Sequence, residues 1–103
     1  MDMKKLMKQA QQMQSEMQKK QAELSQKIFE ANAGGGMVTA KVNGKHELLS
    51  LKIDPTIVSA DDVEMMQDLV VAAVNEAFRQ VEESMKESMS GMLGGLGGLG
   101  NLL

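Results

Sequence analysis

Residues Gly34–Pro55 read GGGMVTAKVNGKHELLSLKIDP, and this stretch decides the fold. Val38, Ala40 and Val42 fall on one side of a first strand, with Thr39 and Lys41 on the other. Leu49, Leu51 and Ile53 fall on one side of a second strand, opposed by Ser50 and Lys52. Alternation with period two, apolar on one side only, marks an antiparallel sheet covered on one face. Between the two runs sits Asn43-Gly44. A type I′ hairpin turn needs φ > 0 at both central residues, which Asn tolerates and Gly adopts freely, so the pair predicts a hairpin with that turn. Asp54-Pro55 ends the second run, because Pro has no N–H for the ladder.

Long helical patterns flank the hairpin. Met3, Leu6, Ala10, Met13, Met17 and Leu24 follow steps of three and four with one gap at Lys20, and Ile28 and Ala31 carry the apolar pattern toward the glycines. The residues between are almost all Gln, Lys, Glu or Ser. So narrow a seam seeks a partner helix, as in a coiled coil, rather than a broad core. The helix is expected to end at Gly34–Gly36, with Gly as its left-handed cap and a pliable junction behind it. A short extra strand over Phe29–Ala33 also fits. Downstream, Ser59-Ala60-Asp61-Asp62 reads as a helix start, with Ser as cap and acids where the macrodipole favours them. Val63, Met66, Leu69, Val70, Ala73, Val74, Ala77, Phe78, Val81, Met85 and Met89 then form an apolar stripe. It is broad from Leu69 to Phe78, wide enough to cover a sheet. Beyond Phe78 it narrows, so that end should project. Residues 91–103, GMLGGLGGLGNLL, are uncharged and low in complexity and are expected to form a disordered tail behind a single domain spanning 1–90. The fold class is therefore α+β: long helix, antiparallel hairpin of two to three strands, long helix.

Thirty helical residues span about 45 Å, whereas a compact chain of this length has a radius of gyration of about 13 Å. Such helices cannot fold into one compact protomer, and their seams would stay wet. A homodimer is the expected solution, with Val38, Ala40, Val42, Leu49, Leu51, Ile53, Val74 and Phe78 as its core and interface. Composition narrows the chemistry. The 103 residues hold 11 Met and 2 Phe, with no Trp, Tyr or Cys and one His. Neither a disulfide nor a thiolate metal site can form, and Met must fill the core. No signal-peptide pattern or membrane-length apolar run is visible, so a cytoplasmic protein without a membrane partner is expected. There is no GxSxG, Walker loop or HExxH. His46 follows the turn and suits a structural or solvated role. Asp61, Asp62 and Glu64 suit capping better than metal binding. The expectation is no enzyme, no metal, no cofactor and no small-molecule substrate.

The net charge of −3 divides unevenly: +2 over residues 1–33, +2 over 34–53 and −7 over 54–103. Lys4, Lys5 and Lys8 open the first helix, with Lys4 and Lys8 one turn apart, Lys19 and Lys20 further along, and Gln12 among the uncharged donors. Lys and Gln at the end of a projecting helix suit contact with a nucleic-acid backbone. They equally suit the solvated face of a coiled coil.

Four blocks together, MKKLMKQAQQMQ at 3–14, NGKHEL at 43–48, Ile53-Asp54-Pro55 and DLVVAAVNEAFRQVEE at 68–83, closely resemble the YbaB/EbfC family of bacterial nucleoid-associated proteins, over about residues 3–90. The resemblance implies a homodimer whose paired sheets form a base from which helices project like tweezers. It implies binding of double-stranded DNA at the nucleoid, through the projecting helices and with little or modest sequence preference; from the lysines, phosphates are expected to carry most of the contact, with an influence on nucleoid organisation and gene expression. By position, the DNA-facing candidates are Lys4, Lys5, Lys8 and Gln12, followed by Arg79 and Lys86, around which Glu82, Glu83 and Glu87 cluster. The alternative is a coiled-coil clamp or adaptor for other proteins: helix, hairpin and helix with Met-rich seams resembles the prefoldin architecture, and Met surfaces adapt to varied partners. Docking on a protein of DNA metabolism is a further form of it.

Overall fold

The computed structural model describes residues 2–95. Helix α1 (Met3–Gln26) leads into three strands, β1 (Ile28–Ala33), β2 (Val38–Asn43) and β3 (Leu48–Ile53). A single 3-10 turn, Pro55–Ile57, precedes helix α2 (Val63–Gly95). The sheet is antiparallel in the order β1-β2-β3. The α+β class read from the sequence is the one observed.

The first helix is shorter than its sequence pattern. It stops at Gln26, and residues 28–33 form an additional strand, β1. Pairing with β2 satisfies this backbone and buries Phe29 and Ala31 while Ile28, Glu30 and Asn32 stay outside. A helical continuation would have left Phe29 on an exposed rod, so burial overrides local propensity. Gly34–Gly36 consequently cap no helix. They form the turn of the β1–β2 hairpin, with φ of 65°, 67° and 93°.

The second hairpin also departs from expectation. Gly44 does not lie at φ > 0, so the turn is not type I′; His46 takes the left-handed position instead, at φ 62°. The His46 N–H donates to the Asn43 carbonyl at 3.1 Å, and the Asn43 N–H donates to the Glu47 carbonyl at 3.1 Å, giving a three-residue loop. The Asn43 side chain sets the bend: its Oδ1 accepts from the N–H groups of Lys45 and Glu47, and its Nδ2 donates to the Glu47 carboxylate. Asn was the right residue for a different turn. The register shifts beside this loop, so that Leu48 and Leu49 together oppose Val42, while Leu51 opposes Ala40 and Ile53 opposes Val38. A bulge of this kind adds one residue and strengthens the local twist.

Helix α2 lies across β1 and β2. Ala73, Ala77 and Val81, one turn apart, meet Val38, Ala40, Val42, Phe29, Ala31 and Ile57 in the core. Small residues along this stripe let the helix come close to the sheet. Leu69, Val70, Val74, Phe78 and Ile53 flank the core half-buried. On β3 the cover is missing: Leu48, Leu49 and Leu51 are 47%, 50% and 38% exposed. Among the residues expected in the core and interface, Leu49 and Leu51 are thus outside the protomer's own core.

Ser59 caps a turn ahead of α2 rather than the helix itself, its hydroxyl accepting from the Asp61 N–H at 3.3 Å. At its other end α2 continues through Gly91 to Gly95, five residues into the stretch read as a tail. Extending an established helix fixes few new dihedrals per hydrogen bond, so Gly-rich residues can follow a long helix that they would not nucleate. The remainder of that stretch, 96–103, lies outside the described residues. The radius of gyration is 20.3 Å and the molecule measures 73 × 26 × 15 Å.

Candidate nucleic-acid interface

The body of the protein holds α1 only by its last turns. No residue of α1 is buried, and the helix touches the rest of the chain chiefly through Leu24, half-buried against the core, and through the hairpin loop at Gly44. An open crevice of about 390 Å³ separates the C-terminal half of α1 from Met85 of α2. From there toward Asp2 the helix is an arm in solvent. Asp2 caps it, its Oδ1 accepting from the Lys4 N–H at 3.1 Å.

Lys4, Lys5, Lys8 and Gln12 all lie exposed in the outer turns of this arm. Lys4, Lys8 and Gln12 follow one another at four-residue intervals, a rise of about 6 Å each, and form one row along the helix. Among the described residues the only ion pairs belong to Arg79, and these lysines have no carboxylate partner there. The arm's apolar seam is exposed as well: Met3 73%, Met7 62%, Met13 50% and Met17 49%.

The two candidates on α2 differ from this. The Arg79 guanidinium donates from Nε and Nη2 to both oxygens of Glu76 at 2.9 and 2.7 Å, and from Nη1 to Glu83 at 3.0 Å. The Glu76 hydrogen bond, then the charges of both glutamates, hold Arg79 above its ordinary pKa, and the Arg79 bond holds Glu76 below its own. One cation between two anions is a net negative group. Glu76 was the partner the sequence reading missed, though its position three residues before Arg79 is a standard helical pairing distance. Lys86 is exposed beyond it, near Glu82, Glu83 and Glu87. The structure therefore does not bring the candidates into one patch: four sit on the α1 arm, and two sit on an acidic stretch of α2.

His46 turns its ring onto Phe78, with centroids 5.8 Å apart and planes 29° apart, and so ties the hairpin loop to α2. No sequence signal gave that pairing. Among the described residues no group of three or more His, Cys, Asp or Glu side chains is placed to hold a metal ion, and no helix is long and apolar enough to cross a membrane.

Known proteins are similar to this chain in sequence and in shape. A nucleoid-associated protein of Clostridium novyi is 54% identical over 89 residues, covering 86% of this chain and 78% of its own. One of Koribacter versatilis is 52% identical over 92 residues, covering 89% and 88%. The crystal structure of an uncharacterized protein from Helicobacter pylori superposes with a TM-score of 0.74 at 32% identity, covering 90% of this chain and 98% of that one. Residues 1–96 match the pattern of the YbaB/EbfC DNA-binding family. The chain belongs to that family, whose members among these relatives are named for nucleoid association and not for an enzymatic reaction.

Proposed function

We propose that the protein binds double-stranded DNA as a homodimer, through phosphates, with the α1 arms as the contacting elements, and that it acts at the nucleoid in the cytoplasm, where it influences DNA organisation and gene expression. The observation that carries this is the cluster of Lys4, Lys5 and Lys8: exposed, without ion-pair partners among the described residues, and at the end of a helix that contributes no buried residue to its own fold. A helix so placed has a use outside the protomer. Arg79, held by two glutamates, has no part in this reading, and the acidic stretch beside Lys86 repels the duplex.

Self-association is supported by the surface left open. β3 is an edge strand with three exposed leucines, and unpaired edges with apolar side chains favour strand addition or cover by a second copy. Dimerisation doubles the lysine clusters and adds no small-molecule or membrane partner. The methionine seam of the arm favours a second reading, the clamp or adaptor for other proteins.

Salt separates the two. Each neutralised phosphate contributes about −0.9 to the slope of log affinity against log salt. Three lysines on each of two protomers give a slope no steeper than roughly −5. Replacing Lys4, Lys5 and Lys8 together by Gln leaves helix propensity nearly unchanged. In a salt-titrated mobility shift, the triple variant is expected to remain a folded dimer, lose most affinity on unrelated duplexes alike, and show a much flatter slope. Unchanged binding would remove α1 as the DNA-binding element, and salt-insensitive capture of proteins would favour the clamp.

A further inference from the structure

The glycine at position 44 is not there for its backbone angle, since its φ is not positive. It is there for space. A Cβ on Gly44 would collide with the carbonyl oxygen and carbon of Leu24 and come within 3.0 Å of the Ser25 Cα. These are backbone atoms of the last turn of α1, and backbone cannot swing aside as a side-chain tip can. Gly35 and Gly36, by contrast, have nothing within 4 Å of a Cβ. The second hairpin loop therefore presses, through one residue without a side chain, directly on the end of the arm.

We infer that Gly44 is a positioning residue for DNA binding: the seat on which the last turn of α1 rests, fixing the direction in which the lysine arm leaves the body. This rests on the reading of α1 as the DNA-contacting element. Three observations converge on it. The arm has no buried residue, so nothing along its length holds its angle. Leu24, the α1 side chain that packs against the core among the described residues, is the residue whose carbonyl meets Gly44. The loop that carries Gly44 is itself fixed, by the Asn43 hydrogen bonds on one side and the stacking of His46 on Phe78 on the other, so the seat belongs to the rigid body. Beyond the seat, Lys27 is extended (φ −66°, ψ 136°) and joins the arm to β1 as a single-residue pivot.

Leverage makes the seat matter. Lys4 lies about 30 Å along the helix from Leu24. Admitting a methyl group requires the last turn to retreat by about 1.5 Å to reach ordinary contact distance. With the pivot about 5 Å away, that retreat swings the lysines by on the order of 10 Å. Phosphates follow one another every 3.4 Å of rise along a DNA strand, roughly a third of that swing. Two arms set for one duplex geometry would no longer meet it together.

The test uses the whole chain, which has no Cys of its own. Spin labels on Gln9→Cys in α1 and Asn32→Cys in β1, both exposed positions, report the arm's angle when labelled protein is diluted with unlabelled. In the Gly44→Ala variant the interlabel distance is expected to shift by several ångströms or more, and DNA affinity to fall several-fold, with the helical circular dichroism retained. Gly91→Ala, whose added Cβ meets nothing within 4 Å, should change neither. An unchanged distance in Gly44→Ala overturns the inference. Should that variant not fold, Leu24→Ala removes the anchor without touching the hairpin, and it is expected to broaden the distance distribution; an unaltered distribution overturns the inference equally. An arm that moves while DNA affinity stays overturns the inference if the lysine triple variant loses binding, and removes α1 as the DNA element if that variant binds normally too.

Discussion

Single side chains hold the turns of this protein, and Asp54 shows how. Its Oδ1 accepts from the Thr56 N–H and the Thr56 hydroxyl, both at 2.9 Å, and so caps the 3-10 turn that delivers Ile57 to the core. The backbone bond first and the hydroxyl second hold the Asp54 carboxyl below its ordinary pKa. A carboxyl lowered in the folded state adds stability that is complete above the unfolded value of 3.8 and is lost as pH falls through the folded value. Asp54→Asn keeps a capping oxygen but does not titrate. The melting-temperature gap between the wild type and this variant is expected to be constant near neutrality and to shrink below about pH 4. A gap that persists unchanged at pH 2 would show that the charge on Asp54 plays no part. His46 poses a different balance: a non-Gly residue at φ 62° is strained, and the ring's stacking on Phe78 offsets that strain. His46→Ala keeps the strain and loses the ring, so a cost of about 1 kcal/mol in denaturant unfolding is expected, with DNA binding retained. A loss of binding larger than that of stability would place His46 at the interface.

The two helices have opposite relations to the body. α2 is held by burial: Ala73, Ala77 and Val81 are fully enclosed, and the helix could not be removed without exposing the sheet. Past Val81 no residue up to Gly91 is buried, so this part of α2 leaves the core. A chain truncated after Ser90 is therefore expected to keep its melting temperature by calorimetry, consistent with a domain that ends near residue 90. A drop of several degrees would mean that the removed residues pack on the body or on a second copy. α1 is held by a single turn, and a helix with no buried side chain draws its stability from its cap, its local propensity and whatever it meets outside the protomer.

At the scale of the molecule, a radius of gyration of 20.3 Å against the roughly 13 Å of a compact chain this long means that surface, not core, dominates the protomer. Exposed apolar side chains of that surface lie along α1, along α2 and on β3, and the β3 leucines are those that a second copy adding to this edge would cover. Leu51 is the sharpest probe. It faces Ala40 across the ladder but is 38% exposed, so a charge there reaches water in an isolated protomer and is trapped in a dimer whose interface includes β3. Leu51→Asp is expected to yield a monomer or an unfolded chain in sedimentation at micromolar concentration. A stable wild-type monomer under the same conditions would remove the dimer from the proposal.

Some of this was fixed by the order of residues alone. The period-two runs of Val38–Val42 and Leu49–Ile53, the Pro55 stop and the 3.6-residue stripe from Val63 to Val81 are local patterns, and local geometry turns them into strands and helix wherever the chain sits. The lysine row of α1 was legible for the same reason: four-residue spacing is one helical turn in any context. What tertiary structure decided lies where two local outcomes were close in energy. Ile28 and Ala31 fit a helix by spacing while Phe29–Ala33 also fit a strand, and pairing with β2 made residues 28–33 extended. Asn43-Gly44 marked a turn, but not that Gly44 would lie against the last turn of α1, a contact between residues twenty apart in the chain. That acids surround Arg79 was legible in the sequence, but that Glu76 and Glu83 are the two that bind it was decided by side-chain geometry. Local propensities differ by fractions of a kcal/mol per residue, whereas burying one Phe or excluding one backbone collision is worth more, so tertiary contacts win wherever the two compete.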